Sequence, residues 1–331
     1  MITLVLLLQL LTWVPAELPA HGTAVAAPLE ATLLTDPDAM GGVARATRSP
    51  LGVTLTLKLR HGPFPCAGKP WADATTLLFV SKDFDPKRPI GLLVHFHGHD
   101  GRAVHKIDDH QLREQVLAAG RNVILAMPQG PVDAPDSAGG KLDEPQGFLR
   151  FSSELLEILR GKKVREVLSK QALGAHQAWQ RVAVSAHSGG YRVAARVLTE
   201  GGVAVDDVYL FDALYGDVPL FRTWAGQPGK RLWSWYTRGA PEKLNQILMQ
   251  RLREDGAAPV SEDPEGSLND GQFCRAQLLF VHTALPHGRV PLGHAALRDA
   301  LVCSRFAKVR KPPPLPPQPK RGARILADGL Q

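Results

Sequence analysis

The sequence predicts an α/β domain built on a mostly parallel sheet with helices on both faces. Two observations predict it. Short apolar runs alternate with runs carrying apolar residues at helical spacing through about 250 residues, from Leu51 to Phe306. The polar residues with chemical potential fall just after the C-terminal ends of the apolar runs, where open parallel sheets bind their ligands. A length of this order is ample for one large core, and one domain is expected over 51–307.

In chain order, VTLTLKL at 53–59 and TTLLFVS at 75–81 read as an entry hairpin. PIGLLVHFHGHDG, from 89, is an apolar strand running into a glycine-containing loop. A polar helix is expected near 109–119. RNVILAMPQGP reads as a strand ending at Pro128, and GFLRFSSELLEILR as an amphipathic helix. VAVSAHSGGYRVAARVL at 182–198 joins a buried strand to a helix. DVYLFDALYG, RLWSWYTRG and AQLLFVHTALPHG supply three further strands, with PEKLNQILMQRLRED as a helix among them and PLGHAALRDALV as the last helix, Pro291 in its first turn.

The ends differ from this middle. MITLVLLLQLLTWV fits the apolar core of an export signal and is too short to span a bilayer. Ala24-Val25-Ala26 offers the small residues a signal peptidase reads, so 1–26 is expected to be a signal peptide, 27–50 a linker, and the protein secreted or periplasmic. No later run is apolar enough for a membrane span. The formal charge of +7 would suit nucleic acid, but 308–331 carries six basic residues and one acidic, a charge of +5 that leaves only +2 for the rest. No nucleic-acid partner is expected. The prolines of this tail favour an extended chain with little to bury.

The serine between strand and helix, Ser188, has Ala186 two residues before it and Gly190 two after. A strand-to-helix turn this sharp holds its side chain out from the sheet edge and tolerates only small neighbours. The segment A-H-S-G-G resembles the nucleophile elbow of the α/β-hydrolase family, departing from its G-x-S-x-G pattern by the methyl of Ala186. The resemblance implies a serine hydrolase that needs no cofactor and no metal, with Ser, acid and His in that chain order.

A serine hydroxyl is a poor nucleophile at neutral pH and needs a base, itself oriented by an acid. The strand that most often carries the acid ends YTRGA, without a carboxylate. Asp212, ending the strand before it, is therefore the candidate acid, and Asp217 the alternative. His287 in LPHGRVPLGH is the candidate base, with His294 the alternative, placed one turn inside the last helix; His282 reads as a packed strand residue. For the oxyanion, the backbone N–H of Gly189 is one donor. HFHGHDG resembles the family's His-Gly loop, which implies His99 or its neighbour Asp100 as the other. The loop GPVDAPDSAGGKLDEPQG is expected to rim the site.

Two other readings stand beside this one. His95, His97, His99, Asp100, His105, Asp108, Asp109 and His110 fall within sixteen residues, a density that suits a zinc-dependent hydrolase using the His95–His99 cluster. A hydrolase-like fold that binds without catalysis is the other. The leading expectation is an ester, less readily an amide, of a small molecule or polymer, cleaved through an acyl-enzyme on Ser188.

Of three cysteines, Cys66, Cys274 and Cys303, the last two are expected to pair. The final strand starts just after Cys274, and the final helix must run back antiparallel to it, returning Cys303 to the strand's beginning.

Overall fold

The computed structural model describes residues 30–33, 40–264 and 270–309. The expected signal peptide, and the tail from 310 onward, lie outside these residues. One sheet of eleven strands carries the chain. In chain order the strands are β1 (Glu30–Leu33), β2 (Gly42–Ser49), β3 (Gly52–Lys58), β4 (Thr75–Ser81), β5 (Ile90–Phe96), β6 (Val123–Pro128), β7 (Trp179–His187), β8 (Asp207–Phe211), β9 (Arg231–Tyr236), β10 (Val260–Pro264) and β11 (Leu278–His282). Their spatial order is β1-β2-β3-β4-β6-β5-β7-β8-β9-β11-β10. The strands from β1 to β4 are antiparallel, β4 pairs antiparallel with β6, and the rest of the sheet is parallel.

Nine helices in the described residues complete the layers: α1 (Ala103–Asp109), α2 (Leu112–Ala118), α3 (Gly147–Arg160), α4 (Lys162–Leu168), α5 (Tyr191–Glu200), α6 (Val218–Ala225), α7 (Ala240–Glu254), α8 (Asp270–Arg275) and α9 (Ala296–Val302). Side chains alternate across a strand, and the parallel strands use both faces. Leu92, Val94, Val182 and Val184 pack with Phe148, Leu155, Ala194 and Leu248 of α3, α5 and α7. Leu93, Leu125, Ala183 and Trp233 pack with Ile107, Val116, Leu297 and Leu301 of α1, α2 and α9. None of the described helices is long and apolar enough to cross a membrane.

The structure departs from the sequence reading at five places. Residues 42–49, expected as linker, form β2, which pairs with β3 from Gly42 opposite Lys58 to Ser49 opposite Gly52; β1 adds a further strand. In GVARATRS the buried positions are the small Val43, Ala44 and Ala46, too weakly apolar to announce a strand without its partner. The helix expected over 109–119 is two short helices broken at Gln111, whose φ is 47°. β10, VSEDP, is mostly polar and takes its conformation from parallel pairing with β11 at the sheet edge. The last helix begins at Ala296 rather than Pro291, because Ala295 sits at φ 50° and a 3-10 turn spans Gly293–Ala295. The tail begins later than 308: Lys308 bridges to Arg121, Arg88 donates to the Lys308 carbonyl at 2.7 Å, and Val309 is buried with its N–H on the Gly120 carbonyl at 3.1 Å.

Cys274 and Cys303 form a disulfide, with Cα atoms 4.7 Å apart, and Cys66 is a free thiol.

Candidate active site

Strand register levels the chemistry on one edge. Phe96 lies beside Ala186, His187 beside Phe211, Phe211 beside Trp235, and Tyr236 beside His282. The loops after β5, β7, β8, β9 and β11 therefore leave the sheet together. β5 neighbours β6 on one side and β7 on the other, so the strand order reverses between β5 and β7, where such sheets open a crevice.

Ser188 occupies that crevice. Its φ of 52° puts it in the left-handed region, where a non-glycine residue is strained, and the chain passes at once through a 3-10 turn, Ser188–Gly190, into α5. The surrounding contacts impose the conformation. A Cβ on Gly190 would lie 2.5 Å from the Phe96 carbonyl oxygen, and one on Gly98 would lie 2.6 Å from the Ser188 Cβ. The loop after β5 and the elbow thus touch, and only glycine lets them. Ala186 is fully buried, so its extra methyl is absorbed by the core.

The loop after β5 is fixed by His97. The ring is buried and accepts at Nε2 from the Gly130 N–H at 2.9 Å. Nδ1 therefore carries the proton and donates to the Gly98 carbonyl at 2.7 Å. Burial holds this imidazole below its ordinary pKa, consistent with a neutral ring. His99 lies against Gly189, and its Nε2 is 2.6 Å from the Ser137 hydroxyl in the loop after β6. The Asp100 N–H is already given to the Ala134 carbonyl at 3.0 Å, which corrects Asp100 as an oxyanion donor. His99 remains, together with Gly189, an amide in the first turn of a helical segment, where N–H groups have no intrahelical acceptor.

In the loop after β11, His287 Nδ1 donates to Asp212 Oδ2 at 2.6 Å, and the His287 ring lies 4.7 Å from that of His187, the residue before Ser188. Asp212 is fully buried. Its Oδ1 accepts the Thr237 N–H at 2.8 Å, and its Oδ2 the Thr237 hydroxyl at 2.8 Å. The Tyr215 hydroxyl lies 3.4 Å from His287 Nδ1; burial, and then the Asp212 carboxylate, push its pKa up to about 12. A buried carboxylate with this many donors has its charge compensated. With Nδ1 protonated, His287 holds its lone pair on Nε2, the chemistry of a general base. Neither Nε2 nor the Ser188 hydroxyl has a hydrogen-bond partner among the described residues; such catalytic contacts are often long before substrate binds.

Asp217, the alternative acid, heads α6 and its carbonyl accepts from Leu220 and Phe221; it is not joined to His287. The His294 backbone is in the 3-10 turn before α9 rather than inside the helix, and its side chain is not described. His282 is not a core residue: it ends β11 half-exposed, stacked on Tyr236 at 5.2 Å. The His95–His99 cluster does not converge. His95 turns to the Ser185 hydroxyl at 2.9 Å, His97 to Gly98 and Gly130, and His99 to Ser137; no group of three or more potential metal ligands exists among the described residues.

Thr237, Tyr215 and His187 were not singled out from the sequence. Thr237 belongs to the YTRGA strand end that lacks an acid; there it supplies the donors that hold the acid of the neighbouring strand.

The strand order, the two-sided helix layers and the strand-to-helix turn at Ser188 define the α/β-hydrolase fold. No family model matches the chain, and no curated protein matches its sequence. Among solved structures, similarity extends to an uncharacterized protein from Bacillus cereus ATCC 10987, 16% identical with a TM-score of 0.37, covering 60% of this chain and 55% of that one. It extends also to a ferulic acid esterase, 12% identical with a TM-score of 0.44, covering 69% and 89%. FphF, a fluorophosphonate-binding serine hydrolase of Staphylococcus aureus, is 10% identical with a TM-score of 0.44, covering 75% and 95%.

Proposed function

We propose that the protein is a serine hydrolase that cleaves a carboxylic ester, in preference to an amide, through an acyl-enzyme on Ser188. The observation that carries this reading is the 2.6 Å bond from His287 Nδ1 to buried Asp212, with the His287 ring 4.7 Å from that of His187, the residue before a serine held at a strained elbow. In this reading His287 Nε2 takes the proton of Ser188 as Oγ attacks the ester carbonyl. The tetrahedral oxygen is held by the N–H groups of His99 and Gly189. The imidazolium, stabilised by Asp212, then protonates the departing alkoxide, and the same base activates water to release the acid. The N-terminal segment MITLVLLLQLLTWV supports export of the enzyme before it acts.

The test is labelling by a fluorophosphonate probe together with turnover of p-nitrophenyl esters of graded chain length. The wild-type protein should label and turn over, and Ser188→Ala should do neither while keeping its fold. A wild-type protein that neither labels nor hydrolyses any ester would end the proposal.

A further inference from the structure

Histidine rings line up behind the proposed base. His287 lies 4.7 Å from His187, with ring planes inclined at 31°, and His187 lies 4.9 Å from His110 in an edge-on contact. His187 is the residue immediately before Ser188 and the last of β7. Its Nε2 is 3.2 Å from the backbone carbonyl oxygen of His287, across 100 positions of chain. A carbonyl can only accept, so His187 must carry its proton on Nε2 and donate it there. The strand that presents the nucleophile is thereby tied to the backbone of the residue proposed as its base.

Resting on the serine-hydrolase reading, we propose that His187 is a positioning residue, acting as a hydrogen-bonded strap that sets where His287 stands relative to Ser188. The His287 loop needs such a strap. Asp212 holds the ring at Nδ1 alone, and the His287 side chain is 43% exposed. His187 fixes the backbone of the same residue and lays a neutral ring alongside the imidazole. Burial first, then the electrostatic influence of His110, His287 and Lys106, holds the His187 pKa well below the ordinary imidazole value, although the bond to the His287 carbonyl pulls it the other way. A neutral strap does not compete with His287 for the proton leaving Ser188.

The test compares His187→Phe, which keeps a ring and loses the donor, with His187→Gln, whose amide can present an N–H near the position of Nε2. Displacing a catalytic group by about 1 Å can cost about a hundredfold in rate. His187→Phe should therefore lower kcat for p-nitrophenyl acetate by about 10-fold to about 100-fold with KM within about twofold, and slow fluorophosphonate labelling in parallel. His187→Gln should recover most of both. Equal activity of His187→Phe and wild type, or equal loss in both variants, overturns the strap while leaving the hydrolase reading standing. Absence of labelling in the wild type overturns both. The nitrogen-15 shifts of the wild-type imidazoles provide a measurement independent of variant folding: His187 should be an Nε2-protonated neutral ring across neutral pH, and an Nδ1-protonated ring would sink the proposal.

Discussion

The Nδ1–H of His287 donates to Oδ2 of Asp212 across 2.6 Å, between residues 75 positions apart. This bond fixes the tautomer that leaves Nε2 free to accept a proton. Asp212→Asn keeps the shape but offers an amide edge that can leave the imidazole in the wrong tautomer. A loss of about 10⁴-fold in kcat with little change in melting temperature is expected. Steady-state ester hydrolysis by Asp212→Asn checks it; a loss of under about tenfold would remove Asp212 from the orienting role.

Gly98 is expected to be intolerant of any side chain. A Cβ there would meet the Ser188 Cβ at 2.6 Å, and backbone on both sides has little room to yield. Gly98→Ala should destabilise the fold by about 1 to 3 kcal/mol through overpacking and displace the elbow, abolishing fluorophosphonate labelling. Urea unfolding and labelling rate measure the two effects, and a fully active variant would show that the loops do not press on one another.

The Cys274–Cys303 disulfide closes a loop of 29 residues that contains His287. Chain-entropy reasoning gives such a bridge about 3 to 4 kcal/mol of stabilisation. Replacing both cysteines by serine should lower the melting temperature by several degrees and also reduce kcat, because the base loop loses its anchor. Non-reducing peptide mapping of the wild type should recover the linked peptides; two free thiols in protein folded under oxidising conditions would refute the bond.

Stability should fall in mild acid. Burial, the leading cause in each case, holds His95, His97, His110 and His187 below the ordinary imidazole pKa, His110 at about 4. Above about pH 6.5 these rings are neutral in the folded and unfolded chain alike, and contribute no pH dependence. Below it the unfolded chain takes up protons that the folded one refuses. Each ring then costs up to about 1.4 kcal/mol of stability per pH unit, for His110 until the pH reaches about 4. Urea unfolding should give a plateau above about pH 7 and a steep decline below about pH 6.5. A flat profile to about pH 5 would contradict neutral burial of these rings.

Much of the candidate site was legible because it depends on strand ends. Apolar runs such as GLLVHF and VAVSAH mark buried parallel strands, and a parallel sheet gathers their C-terminal loops on one edge, so Ser188, Asp212, His287 and the His-Gly loop could be listed together before any contact was known. β2 was not legible, since Val43, Ala44 and Ala46 acquire their strand character only by pairing with β3. Nor was the break at Gln111, a left-handed residue in a run whose spacing suits a continuous helix.

The sequence by itself determined the alternation of strand and helix, the strand-to-helix turn at Ser188 and the pairing of Cys274 with Cys303, because these follow from periodicity, local sterics and chain reach. Only the tertiary structure decided that His287 bonds to Asp212 rather than to Asp217, that Thr237 holds this acid from the next strand, and that His187 reaches the His287 carbonyl. Those are hydrogen bonds between residues on different strand ends. Their direction depends on the register and twist of the sheet, which no local pattern of residues encodes.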